Sequence, residues 1–375
     1  MDPLPEVRPG VRVPFLDLRV ADPGQRQRLL DAIDRVLQHG RLVLGPEVAQ
    51  FEARVAATVG HRHCVAVNSG TDALYFAMRA LDLGPGDEVI LPALSWVATA
   101  NAIALTGATP VFADIGDDLN LDPDAVAGLI TSRTRALLPV HYTGRPCDMD
   151  RLMALADRYH FAVVEDTAQA FGAAWRGRPV GSFGLLGCFS MNPMKVLNAC
   201  GEAGAVTTDR EDLRARLERL RHSGALGRSP CTEPSLNGRL DTLQAAILLE
   251  RMDLLPGWLA VRRQRAADYG AHLTEVVRVP APTPERTEVH YLYPILAEGR
   301  DELMAYLARE GIETQIHHPV LMPDQPAYQG LGQNHFPKAR TLVKRILCLP
   351  IHEKLTLREV EFVADRVRRF YRGGA

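Results

Sequence analysis

Apolar and polar positions along the chain follow two rhythms. Over 24–38 (GQRQRLLDAIDRVLQ) and 46–59 (PEVAQFEARVAATV) apolar residues recur every three or four positions. That spacing predicts two amphipathic helices, the second with Pro46 at its first position. CVAVNSGTDALYFAMRAL then passes from an apolar strand through a polar turn into a helix. GPGDEVILPAL predicts a turn and a buried strand, WVATANAIALTG a helix, and TPVFADI and ALLPVHYTG two more strands. MDRLMALADRYH reads as a helix leading into the strand FAVVEDTAQ. Strands alternating with helices indicate an α/β fold, a mostly parallel sheet covered on both faces.

The rhythm changes in the second half. LRARLERLRHSG and TLQAAILLERMDLL are helical, and the second continues through PGWLAVRRQRAADYGAHL past a kink expected at Pro256. The Pro-rich VPAPTPERTEV reads as a connection. After it come a strand (HYLYPIL), a helix (RDELMAYLARE), a strand (TQIHH) and a last helix (REVEFVADRVRRFY), which together predict a smaller α+β unit. The expected division is a large domain over 1–250 and a small C-terminal domain over 251–375.

Composition narrows the function. The 375 residues are 46% apolar, and the net charge of −2 gives no reason to expect a nucleic-acid surface. No apolar run is long enough for a membrane span, and the Pro-rich start, MDPLPEVRPGVRVPF, lacks the apolar region of a signal peptide. The expected location is the cytoplasm, and no partner of either kind, nucleic acid or membrane, is expected. The six cysteines lack metal-ligand spacing, and no metal is expected. A sharper fact is that of 43 Lys plus Arg only four are Lys, namely Lys195, Lys338, Lys344 and Lys354. Arg stays protonated, whereas Lys can lose its proton and form an imine, so the isolated Lys195 points to amine chemistry.

Five segments carry candidate chemistry. Asn68-Ser69-Gly70-Thr71-Asp72 lies at a strand-to-helix turn, where free N–H groups and the helix dipole suit a phosphate; the plainer reading is a Ser or Thr N-cap. Asp166, in VVEDTAQ, falls at the C-terminal end of a buried strand, where open α/β sheets place ligands. A carboxylate there needs a partner, and a protonated pyridine nitrogen fits; the alternative is a helix cap. Ser190, in FSMNPMK, precedes Lys195 by five residues, so it can reach a phosphate while the lysine reaches an aldehyde; GEAG then turns the chain away. Trp96, in ALSWVATA, is placed to stack on a ring or to be core. LNGRLD joins a loop at Asn237-Gly238 to an N-cap at Asp241, and nothing local assigns Asn237 a role.

In this order the segments resemble the DegT/DnrJ/EryC1/StrS family of sugar aminotransferases, which depend on pyridoxal 5'-phosphate (PLP). The resemblance runs from LVLGPEVAQFE to LCLPIHEKLT. It implies the aspartate-aminotransferase-like fold (PLP fold type I) and a homodimer with composite active sites. It implies that Lys195 is the Schiff-base lysine, that Asp166 pairs with the pyridine nitrogen, and that Gln169 lies near the ring hydroxyl. Trp96 would stack on the ring. Gly70, Thr71 and Ser190 would bind the phosphate, and Asn237 would reach the phosphate in the partner subunit. The implied reaction moves an amino group from glutamate or glutamine to a keto-sugar, carried on a nucleotide, through a cofactor shuttle. A keto-cyclitol acceptor, a sugar dehydratase and a non-enzymatic binding protein are the alternatives. Arg221, Arg228 and Arg239 are candidate diphosphate contacts or plain solvated surface, and His317 and His318 either meet sugar hydroxyls or simply end a strand. Ala203 in GEAG, the Asn192-Pro193-Met194 run and IHHP at 316–319 depart from the family pattern.

Overall fold

The computed structural model describes residues 7–227, 229–333 and 335–373. Its elements follow the predicted order closely. In the first half α1 (Pro23–His39) and α2 (Pro46–Val59) precede β1 (His63–Val67), α3 (Gly70–Ala80), β2 (Glu88–Pro92) and α4 (Ala98–Ala104). Next come β3 (Thr109–Ala113), α5 (Pro123–Ala127), β4 (Thr134–Leu137), α6 (Met149–Tyr159) and β5 (Ala162–Asp166). After the short β6 (Ala174–Trp175) and β7 (Arg178–Pro179) lie β8 (Leu186–Ser190), β9 (Gly204–Thr208) and α7 (Glu211–Leu220). The remainder is α8 (Thr242–Leu273), β10 (Arg286–Thr287), β11 (Tyr293–Leu296), α9 (Arg300–Arg309), α10 (Pro337–Leu342), β12 (Ile346–Leu349) and α11 (Leu357–Tyr371).

Seven strands form the main sheet in the order β1-β9-β8-β5-β4-β2-β3. β9 runs antiparallel to both neighbours, while the β8–β5–β4–β2–β3 pairings are parallel. Successive strand residues point to opposite faces, as a pleated sheet requires. Val89, Leu91 and Val164 enter one apolar cluster with α2 and α3, and Ile90, Leu137 and Val163 enter another with α5 and α6. A third cluster gathers α9, α11, β11, β12 and the C-terminal half of α8.

The long helical run continues past Pro256 as expected: α8 is one 32-residue helix with Pro256 inside it. Two expectations need correction. The strand read over HYLYPIL begins only at Tyr293, because His290 is left-handed (φ 47) and breaks the extended run. TQIHH forms no strand: only Gln315 bridges, to Cys348, before the chain turns at Pro319, which has no N–H for a ladder. The antiparallel β9, folded back against β8, was not anticipated. Among the described residues no helix is long and apolar enough to cross a membrane.

Candidate functional site

Ser69 and Gly70 after β1, Ser95 and Trp96 after β2, Asp166 closing β5 and Ser190 closing β8 meet at one edge of the sheet. They line a cavity of about 500 Å³. The loop joining β8 to β9 brings Lys195 and Glu202 to the same cavity, and Tyr291, Gln315, His317 and His318 arrive from the C-terminal region. All seven residues expected to touch the cofactor from within one chain line this cavity: Gly70, Thr71, Trp96, Asp166, Gln169, Ser190 and Lys195. Asn237 lies outside it, exposed, its Oδ1 accepting from Arg239 Nε at 2.8 Å.

The first turn of α3 is shaped for an anion. Ser69 is its N-cap, and Ser69 Oγ accepts from Asp72 N at 3.0 Å. That leaves the N–H groups of Gly70 and Thr71 without an intrahelical acceptor, as at any helix start, with the positive end of the dipole behind them. A Cβ on Gly70 would come within 2.5 Å of Ser190 Cβ, so only glycine lets α3 seat against the end of β8. Gly204 meets a similar constraint: a Cβ there would lie 2.3 Å from Ser69 O. The glycine of GEAG is thus fixed by the turn it touches.

Asp166 is 3% exposed. Its Oδ2 accepts from Thr99 Oγ1 at 2.9 Å and its Oδ1 from Ala168 N at 3.1 Å. Burial nevertheless raises its pKa, although both bonds and the nearby Lys195 pull the other way. The carboxylate therefore retains acceptor capacity and favours a cationic neighbour. Lys195 Nζ lies 4.5 Å from the centroid of the Tyr291 ring. Burial lowers its pKa to about 8, against the pull of Asp166 and Glu202. At neutral pH roughly a tenth of it is then the free amine that imine formation requires, far more than at the ordinary lysine value.

Gln169 Oε1 accepts from Thr143 N at 2.7 Å. Trp96 is 60% exposed at the rim, with its ring centroid 6.1 Å from that of His318. Behind Asp166, Glu165 points to the opposite face and accepts from His141 Nε2 (3.0 Å), Gly181 N (2.7 Å) and Gly184 N (2.7 Å). Cys147 N donates to His141 Nδ1 at 3.0 Å, which turns Nε2 toward Glu165 as the donor.

Of the arginines read as diphosphate contacts, Arg221 and Arg239 do not line the cavity. Arg221 is buried, paired with Glu52 and donating to Ala66 O at 2.9 Å; it is committed to structure. Arg239 bonds Asn237, and Arg228 lies outside the described residues. Sequence reasoning missed Thr99, Ser95, Tyr291 and Glu202. Ser95 lies in the turn that leads into α4 and Thr99 in its first turn, and their oxygens lie 3.2 Å apart. Tyr291 carried no signal, because it was read inside a strand.

The donor set fits PLP. It offers unpaired N–H groups and a hydroxyl for a phosphate, a buried carboxylate for a cationic ring nitrogen, and one unpaired amine for the aldehyde.

A model of the DegT/DnrJ/EryC1/StrS aminotransferase family matches residues 23–368. The chain is 42% identical over 364 residues to a dTDP-3-amino-3,4,6-trideoxy-alpha-D-glucose transaminase of Streptomyces venezuelae, covering 96% of each. It resembles the crystal structure of S. venezuelae DesV in complex with a ketimine intermediate, with a TM-score of 0.93, 42% identity and coverage of 96% and 99%. The structure of NtdA from Bacillus subtilis with bound cofactor PMP matches with a TM-score of 0.91 and 30% identity, covering 98% of this chain and 87% of that one.

Proposed function

The chain belongs to the DegT/DnrJ/EryC1/StrS aminotransferase family and is a PLP-dependent aminotransferase, and from this premise we propose the substrate and the role of each residue. The amino group passes from glutamate or glutamine to a keto-sugar carried on a nucleotide. The observation that carries the reading is the meeting of Asp166, Lys195, Ser190 and the free N–H groups of α3 in one cavity. The dTDP-linked sugar in the name of the Streptomyces venezuelae relative supports the acceptor class.

When bound, PLP supplies an electron sink that makes the hydrogen on the amine-bearing carbon removable. Lys195 would hold it through its amine and would serve as the base and then the acid for that proton. Asp166 holds the ring nitrogen positive. Gly70, Thr71 and Ser190 hold the phosphate, Gln169 flanks the ring, and Trp96 covers it. Asn237, exposed and outside this cavity, serves the phosphate in a partner subunit, which makes the working unit a homodimer. The division at 250/251 belongs to the same reading. The separate cluster around β11 and β12 supports it, α8 crosses the boundary, and limited proteolysis tests it. Cytoplasmic location completes the reading.

The test compares amino transfer to nucleotide-linked keto-sugars, to the same sugars without nucleotide, and to keto-cyclitols, each with both donors. Tethered substrates should be favoured, because remote contacts raise kcat/KM. Equal efficiency on free sugar removes the nucleotide. Turnover of a cyclitol alone establishes the second reading, which is favoured by one observation: among the described residues Lys195 is the one Lys or Arg lining the cavity. Borohydride reduction and peptide mapping should label Lys195, and a label on Lys338, Lys344 or Lys354 would refute its role. Mixed Lys195→Ala and Asn237→Ala subunits should regain activity if the sites are composite.

A further inference from the structure

We propose that His318 is a specificity-determining residue for the acceptor, fixed by Tyr142 so that its Nε2–H donates to an uncharged oxygen of the sugar. The inference deepens the reading above and rests on it.

The argument begins with a buried hydroxyl. The Tyr142 side chain is almost fully enclosed, and its OH lies 3.0 Å from His318 Nδ1. Burial drives its pKa well above the ordinary tyrosine value, so the phenol keeps its single proton. Among the described residues His318 Nδ1 is the one hydrogen-bond partner of that hydroxyl, so the phenolic proton can only be satisfied there: Tyr142 donates and Nδ1 accepts. The imidazole proton must then sit on Nε2. Burial, with His317 and Lys195 nearby, pushes the His318 pKa well below 6.5, and the ring is neutral.

The ring cannot readily escape this state. It is held between Tyr142, whose centroid is 5.5 Å away, His317 at 4.3 Å and Trp96 at 6.1 Å. Flipping it would break the bond to Tyr142 and leave a buried hydroxyl unsatisfied. The backbone also commits Tyr142 to its place. Thr143 adopts a left-handed conformation (φ 61), its N–H donates to Gln169 and its hydroxyl to Tyr142 O at 2.6 Å. The turn that orients the lock is therefore tied to a residue of the cofactor wall.

Among the described residues Nε2 has no hydrogen-bond partner, and His318 lines the cavity. A neutral N–H suits a hydroxyl, ring or carbonyl oxygen. A phosphate would favour Arg, and among the described residues no Arg lines this cavity. His318 comes from the segment after α9, whereas the proposed cofactor contacts of this cavity come from the sheet edge and the β8–β9 loop. This separation assigns its donor to the sugar rather than the cofactor.

The test is a binding measurement on the intact enzyme in its pyridoxamine-phosphate form, which cannot react with an amine. Calorimetry gives the Kd for dTDP-3-amino-3,4,6-trideoxy-α-D-glucose and for dTDP alone. His318→Leu should weaken the sugar nucleotide about tenfold, the worth of one hydrogen bond, and leave dTDP unchanged. His318→Gln, which keeps an N–H in reach, should recover most of the loss. Tyr142→Phe should weaken binding severalfold in the wild-type background and add nothing to His318→Leu, because the two act as one unit. A merely structural Tyr142 would be additive. Unchanged affinity in His318→Leu, additive losses, or an equal loss for dTDP would each overturn the assignment. A wild-type enzyme that binds neither probe while accepting glutamate would instead overturn the nucleotide-sugar reading, and the inference with it.

Discussion

Glu165 and Asp166 are neighbours on β5, buried equally deeply and pointing to opposite faces, yet their chemistry is opposite. Glu165 is fully enclosed and receives three hydrogen bonds; burial would raise its pKa, but the His141, Gly184 and Gly181 donors win and lower it. Asp166 receives two, faces the cavity, and has its pKa raised. The difference lies in donors, not burial. A saturated carboxylate is a structural strut, and an undersaturated one is held in reserve for a cationic ligand.

Removing the group that faces Asp166 gives the largest effect. Lys195→Arg keeps the charge but cannot form the imine or move the proton, so turnover should fall about 10⁴-fold. Steady-state rates check this, together with loss of the visible absorbance shift on adding glutamate. Retention of even a hundredth of the activity would sink the role.

Exchanging each carboxylate for its amide then tests the comparison directly. Asp166→Asn should cost roughly 10²–10³ in kcat, the scale of a lost preorganised charge contact. The cofactor-free protein should become more stable, because a charge that burial disfavours is gone. The site accepts the amide: Oδ1 can still take Ala168 N, and Nδ2 can donate to Thr99, which turns to Ser95. Thermal melts of the two apo proteins decide this, and a destabilised Asp166→Asn would contradict it.

Glu165→Gln should act in the opposite sense, destabilising the fold by about 2–4 kcal/mol. Every partner of Glu165 is a donor, so either orientation of the amide sets an NH₂ against an N–H. The sign with pH follows from the lowered pKa. The stabilisation is complete above the ordinary value of 4.5 and is lost as pH falls through the lower folded value. The melting-temperature gap between wild type and variant should therefore be constant at neutral pH and close in acid. A gap that widened below pH 4.5 would refute the assignment.

The smallest effect is predicted for Thr99→Val. It removes one donor from Asp166 and raises that pKa further, so transamination should drop severalfold, most visibly toward low pH. A pH–rate profile identical to wild type would show that Thr99 is only packing.

Much of this was legible in the chain. Asp166 stood out because a carboxylate ends an apolar strand, and Lys195 because Lys is scarce while Arg is not, and both line the same cavity. Thr99 was overlooked among helix formers, and Tyr291 was hidden in an expected strand that the left-handed His290 breaks. Arg221 illustrates the opposite error: a favourable residue type near a suggestive loop, already spent on Glu52.

Local pattern determined the order of strands and helices, the strand ends that face the ligand, and the residue types present there. These depend on periodicity and on intrinsic chemistry, which a sequence states directly. Tertiary structure decided which carboxylate of the Glu165-Asp166 pair is saturated and which is open. It also decided that Tyr142 and His318, 176 residues apart, share a proton donor. Hydrogen-bond saturation depends on what approaches from distant parts of the chain, and only the folded backbone sets those distances.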